Sequence, residues 1–189
     1  MRMDLPPDRP KLETIARDGG LIWLSPIVES DRDMLEAGLD ELSAESRYSR
    51  FGQALGKLSQ AELDYLSSVD QKTHVAWGAT IDGDVAGVGR YILSGDCAEV
   101  AVTVVDAHQR RGVGSSLFQA LSAVARHDGV TEFCFEARAD NEAVLHMAQS
   151  LGLTLSTADE TIAGRVRIDM LPVSPLDDAA TDIMERVRV

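Results

Sequence analysis

Positive charge is scarce in this chain: 18 lysines and arginines stand against 31 aspartates and glutamates, a formal net charge of −13 over 189 residues. Nucleic-acid binding draws much of its free energy from cations that displace phosphate counterions, so no nucleic-acid partner is expected. The same negative field attracts cationic partners, such as an amine or a lysine-bearing surface, although acidity by itself also serves solubility. Cysteine is nearly absent. Cys97 and Cys134 have no metal-ligand spacing and are too few for a disulfide framework. They are expected to be small strand residues in a reducing, cytoplasmic setting. Long apolar runs are missing too. The stretch at residues 74–81 is short and interrupted, well under the ~18 residues that suggest a membrane span. The first eight residues lack the basic start and apolar run of a secretory signal. No membrane partner is expected. His108, His127 and His146 share no ligand spacing with acids or cysteines, so no metal is expected either.

What is present suffices for a core: 44% of the residues are apolar, close to the ~45–50% usual for globular chains. The length fits one domain. Residues 1–19 carry Pro6, Pro7, Pro10 and many charges without apolar periodicity, which predicts a flexible arm. Residues 21–24 read as a first strand. Met34, Leu35, Leu39 and Leu42 then recur at helical spacing behind Ser30. Short helices follow over residues 43–51 and, behind Ser59, residues 60–66. The period next changes to two: Val75, Trp77 and Ala79 alternate with His74, Ala76 and Gly78, and Asp82-Gly83 signals a hairpin into Val85, Gly87 and Gly89. Residues 98–105 form a longer strand. Leu117, Ala120, Leu121, Val124 and Ala125 mark an amphipathic helix. A strand over 131–137, a helix over 141–151 stopped by Gly152, and strands near 153–156 and 165–171 complete a single core. Residues 172–189 are a tail in which 177–186 can form a loosely docked helix.

The informative stretch is strand, short loop, glycines, helix, from Val102 to Leu117. Glycines at 112 and 114 leave backbone N–H groups open at a helix start, where the unpaired amides and the helix dipole favour an anion, phosphate above all. Arg110 and Arg111 add mobile positive charge. Two familiar phosphate loops are excluded: no lysine follows Gly114, and Leu117 stands where a dinucleotide fingerprint needs its third glycine. A tight strand-to-helix turn without a ligand is the alternative.

Gln109-Arg-Arg-Gly112-Val-Gly114 resembles the Gln/Arg-x-x-Gly-x-Gly/Ala pyrophosphate loop of the GNAT superfamily of acyl-CoA-dependent N-acyltransferases. Asp140-Asn141-Glu-Ala with Ser150-Leu-Gly152-Leu is similar to that superfamily's Asn-led helix. The likeness spans residues 20–171. Residues 42–51, His74-Val-Ala-Trp77 and Ala98-Glu99-Val-Ala101 are further similar to the catalytic domain of Pat-type protein lysine acetyltransferases. No segment of the chain matches the cyclic-nucleotide domain joined to some of those enzymes, so regulation through one is not expected.

The resemblance implies a single α+β domain with a mixed, mostly antiparallel sheet, splayed at the strand before the loop. It implies acetyl-CoA as co-substrate, its pyrophosphate on Gln109, Arg110, Arg111, Gly112, Val113, Gly114 and Ser115. Its pantetheine arm would pair with the main chain of Val102, Thr103 and Val104, whose side chains would be core packing. Glu99 falls on the family's general base; a partly buried carboxylate there would be raised toward the useful range. The competing reading is a glutamate on a solvated face, with Glu132 and Glu136 as back-up carboxylates. Asn141 either contacts the cofactor arm or caps its helix. The tyrosine that many members use to protonate the leaving thiolate is replaced by Ala148, and Tyr48 and Tyr91 are spatial substitutes to be placed. His74 reads either as a relay group or as an ordinary, partly exposed histidine, and Trp77 as core or as cleft lining. The expected function is acetyl transfer to a primary amine, most simply a protein lysine, by a monomer or homodimer. The alternatives are a small-molecule amine acetyltransferase and a non-catalytic CoA-binding module.

Overall fold

The computed structural model describes residues 9–51, 59–150 and 153–188. Among these residues eight strands form one sheet in the order β1-β2-β3-β4-β5-β6-β8-β7. They are β1 (Leu12–Ile15), β2 (Leu21–Pro26), β3 (His74–Ile81), β4 (Asp84–Ser94), β5 (Cys97–Val104), β6 (Glu132–Arg138), β7 (Ser156–Ala158) and β8 (Thr161–Arg167). Every neighbouring pair is antiparallel except β5 and β6. Flanking helices are α1 (Arg32–Asp40), α2 (Ala44–Phe51), α3 (Gln60–Ser67), α4 (Val113–His127), α5 (Glu142–Ser150) and α6 (Asp177–Val187). The expected α+β class and mixed, splayed sheet are what is found.

The predicted hairpin forms because Asp82 (φ 52°) and Gly83 (φ 89°) both adopt the positive φ that a two-residue turn matched to strand twist requires. Alternation then sorts side chains between two half-cores rather than one. On one face Trp77, Tyr91, Val100 and Phe133 pack against Leu117 and Leu121 of α4 and Met184 of α6. On the other, Ile27, Met34, Leu35, Leu66, Ala76 and Val85 pack together beneath α1 and α3. Trp77 is wholly buried, which settles it as core.

Three expectations require correction. The arm predicted to be loose contributes β1, paired with β2 from Leu12↔Leu24 to Ile15↔Leu21, and Arg9 pairs with the buried Asp31. A four-residue strand is too short to show a period. The helix of the tail is firmly docked: Ala180, Ile183 and Met184 are buried. Arg188 adds a fork onto both carboxylate oxygens of Asp128, each at 2.6 Å. The last two strands lie at Ser156–Ala158 and Thr161–Arg167, with a 3-10 turn at Ile168–Met170. Gly164 hides the pattern, being placed where a Cβ would come within 2.5 Å of the Phe135 ring. The predicted stop at Gly152 lies outside the described residues.

The cysteines are a fourth correction. Cys97 and Cys134 form a disulfide between β5 and β6, with Cα atoms 6.0 Å apart and a sequence separation of 37. Nothing local announces it; only the strand register brings the two together. Closing a loop of that length restrains the unfolded chain by on the order of 3–4 kcal/mol.

Gly87 is required by close approach: a Cβ there would lie 2.6 Å from the Thr103 carbonyl oxygen and 3.2 Å from Val104 Cα. Backbone cannot yield as a side-chain tip can. Gly87→Ala is therefore expected to destabilise the protein by about 1–3 kcal/mol. Chemical denaturation checks this; an unchanged midpoint would show that β4 and β5 have more slack than the register implies.

Candidate active site

β5 and β6 run parallel yet share only two registered pairs, Ala98↔Phe133 and Glu99↔Cys134. β5 continues to Val104 and β6 to Arg138 without further pairing. The opposite edge of β5 stays bonded to β4 throughout, from Ser94↔Cys97 to Gly87↔Val104. The sheet is thus slit between two strands, with its apex at Glu99 and Cys134. Alternate residues of β5 beyond the apex turn main-chain N–H and C=O into that slit.

The predicted loop sits at its mouth. Gly112 is the N-cap of α4 with φ +100° and offers no side chain to it, so the first amides of α4, from Val113 to Ser115, lack helical acceptors. The first helical bond is Ser116 N–H to the Gly112 carbonyl at 3.0 Å. Only glycine accepts that φ readily. Ser115 is exposed, whereas Val113 is buried and belongs to the core. Gln109 Nε2 donates to the Val104 carbonyl and to Ser46 Oγ, both at 3.3 Å. Arg110 is exposed, with φ 58°. Arg111 is not mobile charge: its Nε donates to Asp18 Oδ2 at 2.6 Å, and its NH1 lies 2.9 Å from His108 Nδ1.

Side chains of β5 divide by parity. Val102 and Val104 pack toward α4. Thr103 faces the other side, where it lines an apolar pocket with Met34, Leu39, Val88 and Arg90, so only two of the three expected packing residues join the core around α4. Glu99 shares the Thr103 face and is exposed rather than partly buried.

Helix α2 spans the slit on this face. Asp106, just beyond β5, accepts from Ser43 N–H (3.0 Å), Ser43 Oγ (2.8 Å) and Ser46 Oγ (2.9 Å). Burial acts to raise its pKa, but those hydrogen bonds outweigh it and hold the carboxyl below its usual value. At the β6 end, Arg138 lies 4.8 Å from the Tyr48 ring centroid while its guanidinium pairs with Asp140. Asp106 escaped sequence reasoning because its partners are some 60 residues away. An acid directly after a strand gives no signal of that.

His74 differs from expectation by being buried. Its Nε2 lies 3.0 Å from Arg90 NH1, so the neutral ring accepts that proton. Burial, then the Arg90 charge, push its pKa down to about 4, against a smaller opposing pull from Asp70. Asp70 in turn accepts from the backbone N–H groups of Lys72, Thr73 and His74, each at 2.8 Å. Asn141 is an N-cap, its Oδ1 accepting from Val144 N–H at 3.1 Å. Ala148 is buried. Tyr91 is inside the core and donates to Asp128 at 3.0 Å; burial and that carboxylate push its pKa up. Tyr48 is the one of the two tyrosines that lies beside β6. Among the described residues no three acids, histidines or cysteines cluster as a metal site, and no helix is long and apolar enough to cross a membrane.

The parallel pair is thus slit, with a glycine-led helix start at its mouth and a carboxylate at its apex. The sequence model of the Acetyltransferase (GNAT) family matches residues 37–153, and the chain belongs to that family of acetyltransferases. It is 34% identical over 162 residues to acetyltransferase Pat of Mycolicibacterium smegmatis, covering 83% of this chain and 48% of that protein. The chain thus spans about half the length of that relative. Acetyltransferase PA5475 of Pseudomonas aeruginosa is 31% identical over 142 residues, covering 71% of this chain and 76% of that one. The crystal structure of the GNAT domain of S. lividans PAT superposes with a TM-score of 0.78 at 30% identity, over 87% of this chain and 99% of that chain.

The His74 environment makes acid stability predictable. The unfolded chain takes up this proton near 6.5 and the folded chain only near 4, so between those values the unfolded state binds more protons. Stability is expected to be level above pH 6.5 and to fall as pH drops toward 4, by up to about 3 kcal/mol. His74→Gln, which keeps an acceptor for Arg90, should flatten that slope. Denaturation midpoints across the range are the check, and an equal slope in both proteins would remove His74 as its source.

Proposed function

We propose that this acetyltransferase uses acetyl-CoA to acetylate a primary amine, with a protein lysine as acceptor. The observation that carries the reading is the slit itself, with open amides at one end and Glu99 at the other. The diphosphate would rest on the amides of residues 112–115, with Arg110 beside it. The pantetheine arm would lie along the free edge of β5, where main-chain groups of Val102 to Val104 replace the missing strand and supply an N–H to the thioester oxygen.

An amine at neutral pH is mostly ammonium and must lose a proton before it can attack. Glu99 would take that proton, directly or through one water. The amine nitrogen then attacks the thioester carbon in a ternary complex and the CoA thiolate leaves, with no acyl-enzyme. With Ala148 at the tyrosine position and Tyr91 locked to Asp128, water protonates the thiolate, which is a tolerable leaving group. Asn141 is assigned to its helix rather than to the cofactor. The lysine assignment draws on the likeness to Pat-type enzymes and on the acidity of the chain. A mass-spectrometric screen of proteins and polyamines with acetyl-CoA tests it. Acetylated lysines support it, turnover of small amines alone replaces it, and CoA binding without turnover makes the chain a binding module.

Two substitutions test the machinery. Glu99→Gln should bind CoA normally and lose roughly a hundredfold or more in turnover near neutral pH, the usual contribution of a positioned base; unchanged kinetics would remove Glu99 from the mechanism. Ser115→Glu places a carboxylate in the first turn of α4, which favours the helix by about 0.3–1 kcal/mol while repelling a diphosphate. Calorimetry should then show CoA affinity reduced at least about tenfold in a protein that melts no lower. Equal affinity would refute the loop assignment.

A further inference from the structure

We propose that the Cys97–Cys134 bridge is a thiol-exchange site for CoA, through which the released product can latch the enzyme shut. The inference rests on the acetyl-CoA reading above.

Paired residues on parallel neighbours project to the same face of a sheet, as do residues two apart on one strand. Glu99 is paired with Cys134, and Cys97 precedes Glu99 by two. All three side chains therefore emerge on the face of Thr103 and α2, with the disulfide directly beside the proposed base. Cys97 is buried, Cys134 is half-buried and Glu99 is exposed. Cys134 is the less buried of the two cysteines and stands at the apex where the slit begins, so the exchange is assigned to its sulfur.

An acyl donor threaded along β5 must bring its thioester within reach of an amine held by Glu99. After transfer, the same sulfur remains there as the CoA thiol. A thiol is thus released beside a disulfide. With Glu99 already holding the proton taken from the amine, the CoA thiol gives its proton to water, and the thiolate attacks Sγ of Cys134. The Cys134–CoA S–S bond forms, the Cys97–Cys134 bond breaks, and the Cys97 sulfur leaves and takes up the proton. No external oxidant is needed; one disulfide replaces another. The product fills the donor slit covalently and excludes acetyl-CoA until back-attack by the freed Cys97 thiol or a dithiol reductant releases it. Turnover without reductant would then limit itself as CoA accumulates.

The test uses the full chain with its bridge intact. Incubated with CoA under exclusion of oxygen, it should gain the mass of one CoA and one alkylatable thiol. The adduct should form about a hundredfold faster than with 2-mercaptoethanol at equal concentration, because binding raises the effective concentration of the thiol. Saturating acetyl-CoA should suppress it, turnover should fall as it forms, and dithiothreitol should restore activity. Cys97→Ser, checked by melting temperature, should still capture oxidised CoA on Cys134, and Cys134→Ser should not. Heat of CoA binding without an adduct overturns this proposal and leaves the donor site standing. The absence of any heat overturns both. Equal rates with the small thiol, no protection by acetyl-CoA, or equal capture by Cys134→Ser would each show that the bridge lies away from the CoA arm.

Discussion

A parallel ladder that stops after Glu99↔Cys134 is the constraint on which the rest of this structure depends. Opening a sheet from within exposes backbone donors and acceptors that elsewhere would be paired. Those groups face a slit rather than a packed interior, so water can satisfy them until a ligand does. The exchange costs little, because each protein–water bond is replaced by a protein–ligand bond of similar strength. The two flaps on either side are held by their outer edges, β5 by β4 and β6 by β8. The disulfide closes the apex, and α2 crosses the gap from Asp106 to Arg138. The slit is therefore open without being loose.

The two faces of the sheet divide the work. Behind it, α4 and α6 carry the larger half-core, reinforced by the Tyr91–Asp128–Arg188 network and the Arg126–Asp177 pair. Buried polar groups linked in this way are satisfied and fix the relative placement of helices. In front, the core is smaller and holds polar groups at its margin: His74 kept neutral against Arg90, Thr103 in the pocket, and Asp106 clasping α2. Placing the carboxylate proposed as the base on the thinner, more polar face would leave room for an acceptor without opening the main core.

Much of this was legible in the chain. The strand–loop–helix segment from Val102 to Leu117 announces itself because three independent signals coincide: alternation ending at Val105, glycines at 112 and 114, and a 3.6-residue apolar repeat beginning at Leu117. The hairpin at Asp82-Gly83 is equally local. What escaped is non-local. Cys97 meets Cys134 only through a register that no neighbour encodes, and Asp106 meets Ser43 only because α2 crosses the slit. His74 is buried, meeting a guanidinium sixteen residues further on and the ring of Tyr65. Weak periodicity hid the rest: β1 is four residues long, and Gly164 blanks the inward position that would have marked β8. Residues 52–58 and 151–152, which include the leucine and glycine of the Asn-led helix motif, lie outside the described residues.

Parity along β5 explains why the placement of Glu99 is more constrained than its exposure suggests. Ala98, Val100, Val102 and Val104 are committed to the half-core around α4, so Glu99, Ala101 and Thr103 must face the other way. A one-residue slip would bury Glu99 beneath α4 and expose the valines, at a cost of about 1.5–3 kcal/mol for each large apolar side chain turned out, beyond the penalty of burying a carboxylate. Gly87 adds a steric lock, since its pairing with Val104 leaves no room for a side chain. The register that builds the core is thereby the same register that sets a carboxylate at the apex of the slit. An exposed acid can hold a fixed position without partners of its own when its strand has only one register in which it can pack.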